Sequence, residues 1–142
     1  MKQRVLFICT HNASRSQMAE GILNSLYPDL YETYSAGTEP TSVRPEAIKV
    51  MAELGIDISS HRSKSIDEFK NMPFDYIVTV CDKAKETCPY FPGGGKKLHQ
   101  SFDDPSQFSG TEEEILAGFR KVRDEIKEWI EKTFNATETQ RH

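Results

Sequence analysis

The chain has 142 residues, 18 Lys+Arg against 22 Asp+Glu for a net charge of −4, and 37% hydrophobic residues. That length fits one compact domain that needs no disulfide staples, and the clustering of apolar residues into blocks excludes disorder as the default. The longest apolar runs, 5–9 and 76–81, fall far short of the ~20 residues of a membrane span. The run after Met1-Lys2-Gln3-Arg4 is also too short for a signal-peptide core. The acidic balance gives no general attraction to nucleic acid or anionic membrane, so any bound anion needs a local site. A cytoplasmic monomer with neither nucleic acid nor membrane as partner is expected, with one domain over residues 1–134 and a polar tail over 135–142.

In chain order, residues 4–9 form a short apolar strand and 10–14 a polar loop. Met18, Ala19, Ile22, Leu23 and Leu26 then recur at helical spacing. Residues 31–36 read as a weaker strand ending at Gly37. Pro45 opens a helix carrying Ala47, Ile48, Met51 and Leu54, with Gly55 as its stop. Ser65 and Glu68 have the spacing of a capping box and predict a short helix. Residues 74–81 are the best strand in the chain, and 96–102, behind Gly93-Gly94-Gly95, predict a last short one. Thr111 and Glu114 cap a final helix with Ile115, Leu116, Phe119, Val122, Ile126, Trp129 and Ile130 on one face.

Strands alternating with helices, and strands apolar throughout, imply a three-layer α/β fold: a four-stranded parallel sheet flanked by helices, Rossmann-like in plan. Ligands in such sheets bind beyond the carboxyl ends of the strands. Cys9 and Cys81 both end predicted strands and so belong to that edge.

The loop Cys9-Thr10-His11-Asn12-Ala13-Ser14-Arg15-Ser16 places a cysteine and an arginine six positions apart between a strand and a helix. A loop wrapping into a helix N-terminus aims backbone N–H groups at one spot, where the helix dipole adds positive charge. Thr10, His11, Asn12, Ala13, Ser14 and Arg15 therefore make a cradle for a tetrahedral oxyanion, Arg15 matching two of its oxygens. The same field favours the nucleophilic thiolate of Cys9. Ser16 is placed to donate to that sulfur, and Asn12 to brace the loop from within. Alone, a cysteine ending a strand is more often a small buried hydrophobe; the arginine, serine and helix that follow it favour chemistry. No G-x-x-x-x-G-K-[ST] or G-x-G-x-x-G competes for the phosphate-loop assignment.

The segment from Cys9 to Ser16 resembles the nucleophile loop of low-molecular-weight protein tyrosine phosphatases and of the thioredoxin-coupled arsenate reductases built on the same fold. The tract Arg15-Ser16-Gln17-Met18-Ala19-Glu20-Gly21 is more similar to the reductases, which have glutamine where the phosphatases usually have proline. The likeness runs from Arg4 to about Ile130 and implies the low-molecular-weight phosphatase fold. It also implies that Asp104, of the Asp104-Pro105 pair, protonates a leaving oxygen; by residue chemistry alone Asp103 is an equal candidate. Ser106 and Gln107 stand where phosphatases usually carry aromatic residues for a substrate ring.

Cys81 and Cys88 are seven positions apart. If the segment between them is helical, their Cα atoms lie about 10.5 Å apart along the axis, beyond disulfide reach unless it unwinds. The spacing does not suit zinc, and neither a metal nor a cofactor is expected. Cys9, Cys81 and Cys88 match the three redox cysteines of the reductases. The resemblance implies that Cys9 attacks arsenate, Cys81 attacks Cys9 and releases arsenite, and Cys88 attacks Cys81, leaving a Cys81–Cys88 disulfide for thioredoxin. The alternative is a phosphatase that hydrolyses phosphotyrosine through Cys9 alone. Potassium-binding relatives use an Asn, a Glu and a Ser that correspond to Asn12, Glu20 and Ser35, but their Thr and Asp are here Arg62 and Lys64. A lysine ammonium takes the cation position, so no potassium dependence is expected.

Overall fold

The computed structural model describes residues 2–81 and 95–139. Four parallel strands, β1 (Gln3–Cys9), β2 (Tyr31–Gly37), β3 (Tyr76–Thr79) and β4 (Lys96–His99), form one sheet in the order β2-β1-β3-β4. The helices are α1 (Arg15–Leu26), α2 (Pro45–Ala52) and α3 (Glu112–Thr139), with 3-10 turns at Ile66–Phe69 and Pro105–Gln107. β1 lies between two neighbours and is covered on both faces, which explains its unbroken apolar run: Val5 to Cys9 are all buried.

Alternate residues of a strand point to opposite faces, and here each face has its own aromatic cluster. On one face Phe134 of α3 meets Phe7, Tyr31 and Tyr76 edge to face. On the other, Tyr34 packs against Phe69 and Phe74. α3 delivers Leu116, Phe119, Val122, Ile126 and Ile130 as a buried stripe ending in Phe134. Its backbone stays helical to Thr139, into the stretch set apart as a tail.

The local signals met different fates. Thr111 and Glu114 form the reciprocal capping box, with Glu114 N–H donating to Thr111 Oγ1 at 3.1 Å and Thr111 N–H to Glu114 Oε1 at 2.9 Å. Gly55 adopts a φ of 76° in the turn after α2, a conformation costly for other residues. At Ser65 the hydroxyl accepts from Asp67 N–H rather than from Glu68 N–H, and the Glu68 carboxylate pairs with Arg62 at 2.7 and 3.0 Å. The segment makes a four-residue 3-10 turn. β4 ends at His99 rather than 102; Phe102 N–H still bonds to Val80 O at 3.2 Å, but off the even spacing of the ladder, and its carbonyl accepts from Arg15 at 3.1 Å.

Candidate active site

At the carboxyl edge of the sheet, β1 runs into residues 10–14, and the direction of each peptide there can be followed. Thr38, Glu39, Thr41 and Arg44 N–H donate to the carbonyls of Cys9, Thr10, His11 and Ala13 at 3.2, 2.7, 3.1 and 3.0 Å. The segment after β2 thus draws these carbonyls outward. In a trans peptide the next N–H points the opposite way, so the N–H groups of Thr10, His11, Asn12 and Ser14 turn inward. Asn12 shows the result, its N–H lying 3.2 Å from Cys9 Sγ. Such close backbone approach requires Gly37, since a Cβ there would sit 2.7 Å from Thr10 O and 2.9 Å from Asn12 N.

Asn12 is the one non-glycine residue with positive φ (51°) among the described residues, a conformation asparagine tolerates better than most. It is wholly buried and held at every polar atom. Its carbonyl accepts from Ser63 Oγ at 2.8 Å and Gln17 Nε2 at 3.2 Å, its Oδ1 from Lys64 N–H and Gln17 Nε2 at 2.9 Å each, and its Nδ2 donates to Ser16 Oγ at 2.7 Å. Ser16 Oγ in turn lies 2.9 Å from Cys9 Sγ. Ser14 Oγ is buried and has no partner among the described residues.

Arg15, at the first turn of α1, is fixed from outside by Phe102 O and lies 3.6 Å from Asp104 Oδ2. Asp104 caps the turn at Pro105–Gln107, its Oδ1 accepting from Ser106 N–H at 3.0 Å and Ser106 Oγ at 2.7 Å. Partial burial pushes this carboxyl up, but the Ser106 bonds, then the charges of Arg15 and His11, outweigh burial and hold it below its ordinary value. Asp103 is exposed; it borders the same cleft, but Asp104 is the one that meets Arg15.

Cys81 follows β3, next to β1 in the sheet, where Val80 N–H bonds to Ile8 O. Its buried Sγ lies 3.4 Å from Thr10 Oγ1. Thr10, His11, Arg15, Cys81, Ser101, Phe102, Asp103 and Asp104 line a cleft of about 410 Å³. Cys88 lies outside the described residues. Behind the loop, Lys64 Nζ sits 3.8 Å from Glu20 Oε1 and donates to Arg62 O at 3.3 Å, while Ser35 Oγ donates to the same Glu20 oxygen. A tethered ammonium therefore stands against the Glu20 carboxylate. Among the described residues no cluster of three His, Cys, Asp or Glu side chains is arranged to hold a metal ion, and no helix is long and apolar enough to cross a membrane.

Sequence reasoning missed the outward anchors. Arg44, Thr41 and Glu39 act through backbone N–H groups, which leave no side-chain signal, and Gln17 appeared only as a family marker rather than as the residue that ties Asn12 to the 61–64 segment.

Comparison with known proteins agrees with this geometry. The family model described as low molecular weight phosphotyrosine protein phosphatase matches residues 4–142. An arsenate reductase from Halalkalibacterium halodurans is 46% identical over 136 residues, covering 96% of this chain and 97% of its own. Among solved structures, an arsenate reductase in the phosphate binding state is similar with a TM-score of 0.82 and 32% identity, covering 94% of this chain and 98% of that one. A low molecular weight protein tyrosine phosphatase from T. tengcongensis has a TM-score of 0.78 and 29% identity, covering 95% and 99%. With the match spanning all but the first three residues, the chain belongs to the low molecular weight phosphotyrosine protein phosphatase family.

Proposed function

We propose that the protein is an arsenate reductase whose nucleophile is Cys9 and whose reducing equivalents come from its own thiols. The observation that carries this reading is a second buried thiol, Cys81, bordering the cleft and lying beside Thr10 of the nucleophile loop. Hydrolysis of a phosphate ester needs one cysteine; reduction of As(V) to As(III) needs two electrons, and two thiols supply them by forming a disulfide.

In this reading arsenate enters the cradle with its oxygens on the inward N–H groups and the Arg15 fork. The sulfur of Cys9 attacks arsenic, aided by Asn12 N–H and Ser16 Oγ. Asp104 supplies the proton for the departing hydroxide. It is ionised in the resting site at neutral pH, and the bound oxyanion, adding negative charge beside it, raises its affinity for that proton. Cys81 then attacks Cys9 Sγ. The S–As bond breaks, its electron pair stays on arsenic, and arsenite leaves a Cys9–Cys81 disulfide. Cys88 attacks Cys81 and frees Cys9, and thioredoxin reduces the resulting Cys81–Cys88 bond. Residues 1–134 act as one catalytic domain, followed by the polar stretch 135–142, and the protein works as a cytoplasmic monomer.

Turnover coupled to thioredoxin, thioredoxin reductase and NADPH is expected to require arsenate and to stop in Cys88→Ser after at most one round. Multiple turnovers in that variant would contradict the relay. The second reading, a tyrosine phosphatase, is favoured by the family match and by the phosphatase among the similar solved structures. Ser106 argues against it, because it is spent on the Asp104 carboxylate and offers no ring surface to a substrate. Hydrolysis of an aryl phosphate that survives Cys81→Ser, without arsenate turnover, would favour the phosphatase.

A further inference from the structure

The side chains around the cleft carry a balance of charge that opposes a multiply charged anion. Arg15 is the arginine of its lining, against the carboxylates of Asp103 and Asp104. Arg15 is also engaged already, donating to Phe102 O at 3.1 Å and standing 3.6 Å from Asp104 Oδ2. Glu39, on the connection after β2, adds a further carboxylate beside the loop, where its N–H bonds to Thr10 O at 2.7 Å. With −4 on the chain as a whole, nothing at long range draws an anion in. The inward N–H groups of the loop act only on charge that has already arrived.

One more lining residue can carry positive charge, His11. Its neighbours in the loop have side-chain partners: Thr10 meets Cys81, Asn12 meets Ser16, and Ser16 meets Cys9. The His11 ring is exposed, and among the described residues none makes a hydrogen bond or ion pair to it. Its base is nonetheless fixed, because its carbonyl accepts from Thr41 N–H at 3.1 Å and Asn12 follows at a clamped positive φ. An uncommitted ring therefore stands on a rigid support at the mouth of the cleft. Its charge reaches the acid: burial raises the proton affinity of Asp104, and the influences that outweigh burial are the Ser106 bonds, then Arg15, then His11.

We infer that the His11 side chain is a binding and specificity residue for doubly charged oxyanions, its imidazolium offsetting the carboxylates at the cleft mouth so that a dianion can enter the cradle. This role is separate from the backbone N–H that the same residue turns inward. The groups that face the ring are Arg15 from α1, Cys81 after β3, Asp103 and Asp104 after β4, and Glu39 after β2. Histidine is the side-chain type that changes charge between pH 5 and 8, so this contribution is present in the acid part of that range and fades in the alkaline part. Because the ring is exposed, salt screens it. The inference rests on residues 9–16 as an oxyanion cradle but not on which oxyanion is reduced.

Inorganic sulfate is the probe, since it stays doubly charged throughout this range and undergoes no reaction at the site. Its dissociation constant is read at low ionic strength from the protection of Cys9 against alkylation, followed by mass spectrometry of the Cys9 peptide. At pH 6, His11→Gln should weaken sulfate binding about three- to tenfold, the scale of one charge acting on two across the cleft. At pH 8.5 or in high salt the loss should shrink to within about twofold. His11→Arg, charged at either pH, should match the wild type at pH 6 and bind sulfate more tightly than it at pH 8.5. An unchanged constant in His11→Gln at pH 6, or a loss that is equal at both pH values and is not restored by His11→Arg, overturns the inference. Failure of sulfate to protect the wild type overturns it together with the cradle. Sulfate binding that depends on His11 in a protein that does not reduce arsenate would count against the reductase reading and leave this inference standing.

Discussion

Two loops meet at the cleft, and they are built in opposite ways. In the loop from Cys9 to Ser16 the carbonyls of Cys9, Thr10, His11 and Ala13 are bound outward, and Asn12, Ser14 and Ser16 are 0–4% exposed. The loop carrying Asp103 and Asp104 instead has an exposed Asp103 and a short 3-10 turn, and it joins the other loop through Phe102 O and one 3.6 Å ion pair. The difference assigns the work. Stabilising charge that develops on an oxyanion needs dipoles already in place, because donors that must reorient lose their advantage. Delivering a proton needs a carboxyl whose affinity changes with what is bound beside it, and a lightly tied group at the rim provides that.

Changes in the first loop should therefore cost far more than changes in the second. Cys9→Ser removes the attacker and should abolish arsenate turnover to the background of the coupled assay while leaving the fold intact; measurable turnover would move the nucleophile elsewhere. Arg15→Lys keeps the charge but loses the fork matched to two oxygens, and kcat/KM should fall about 10²- to 10³-fold. Asp104→Asn should lower kcat by about 10²-fold and remove the limb of the pH–rate profile that the acid controls. If Asp104→Asn cost more than Arg15→Lys, the contrast between the loops would fail.

Stability gives a finer reading of the second loop. The Asp104 carboxyl is held below its ordinary value, so its contribution is present above about pH 4 and is lost as pH falls through the lowered value. Asp104→Asn should therefore lower Tm at pH 7 more than at pH 3. The smallest expected effect concerns the back of the first loop. With the Lys64 ammonium tethered beside Glu20, replacing potassium by a bulky organic cation at constant ionic strength should leave kcat/KM within about twofold, the scale on which general salt screening acts. A larger fall would show that the ammonium does not serve as the cation.

What the sequence made legible was local. The cradle could be read because Cys9, Arg15 and Ser16 are near neighbours in the chain, and the α3 cap because Thr111 and Glu114 are three residues apart. At Ser65 the same spacing produced only a 3-10 turn, with Asp67 N–H on the hydroxyl and Arg62 paired to the Glu68 carboxylate. The carbonyl anchors from Thr38 to Arg44 are backbone groups from the connection after the neighbouring strand, and only the fold brings them to the loop. Gln17 carried a family signal without a mechanism, because its partners at Asn12 and Arg62 lie on either side of it, 5 and 45 positions away.

The central claim is that one thiol binds the oxyanion while others supply the electrons, and the disulfides test it most directly. Fully reduced protein should be treated with one equivalent of arsenate, quenched by alkylation and mapped by mass spectrometry. A Cys81–Cys88 disulfide with Cys9 alkylated, formed together with one equivalent of arsenite, is the predicted result; three alkylated thiols and unreduced arsenate would contradict it.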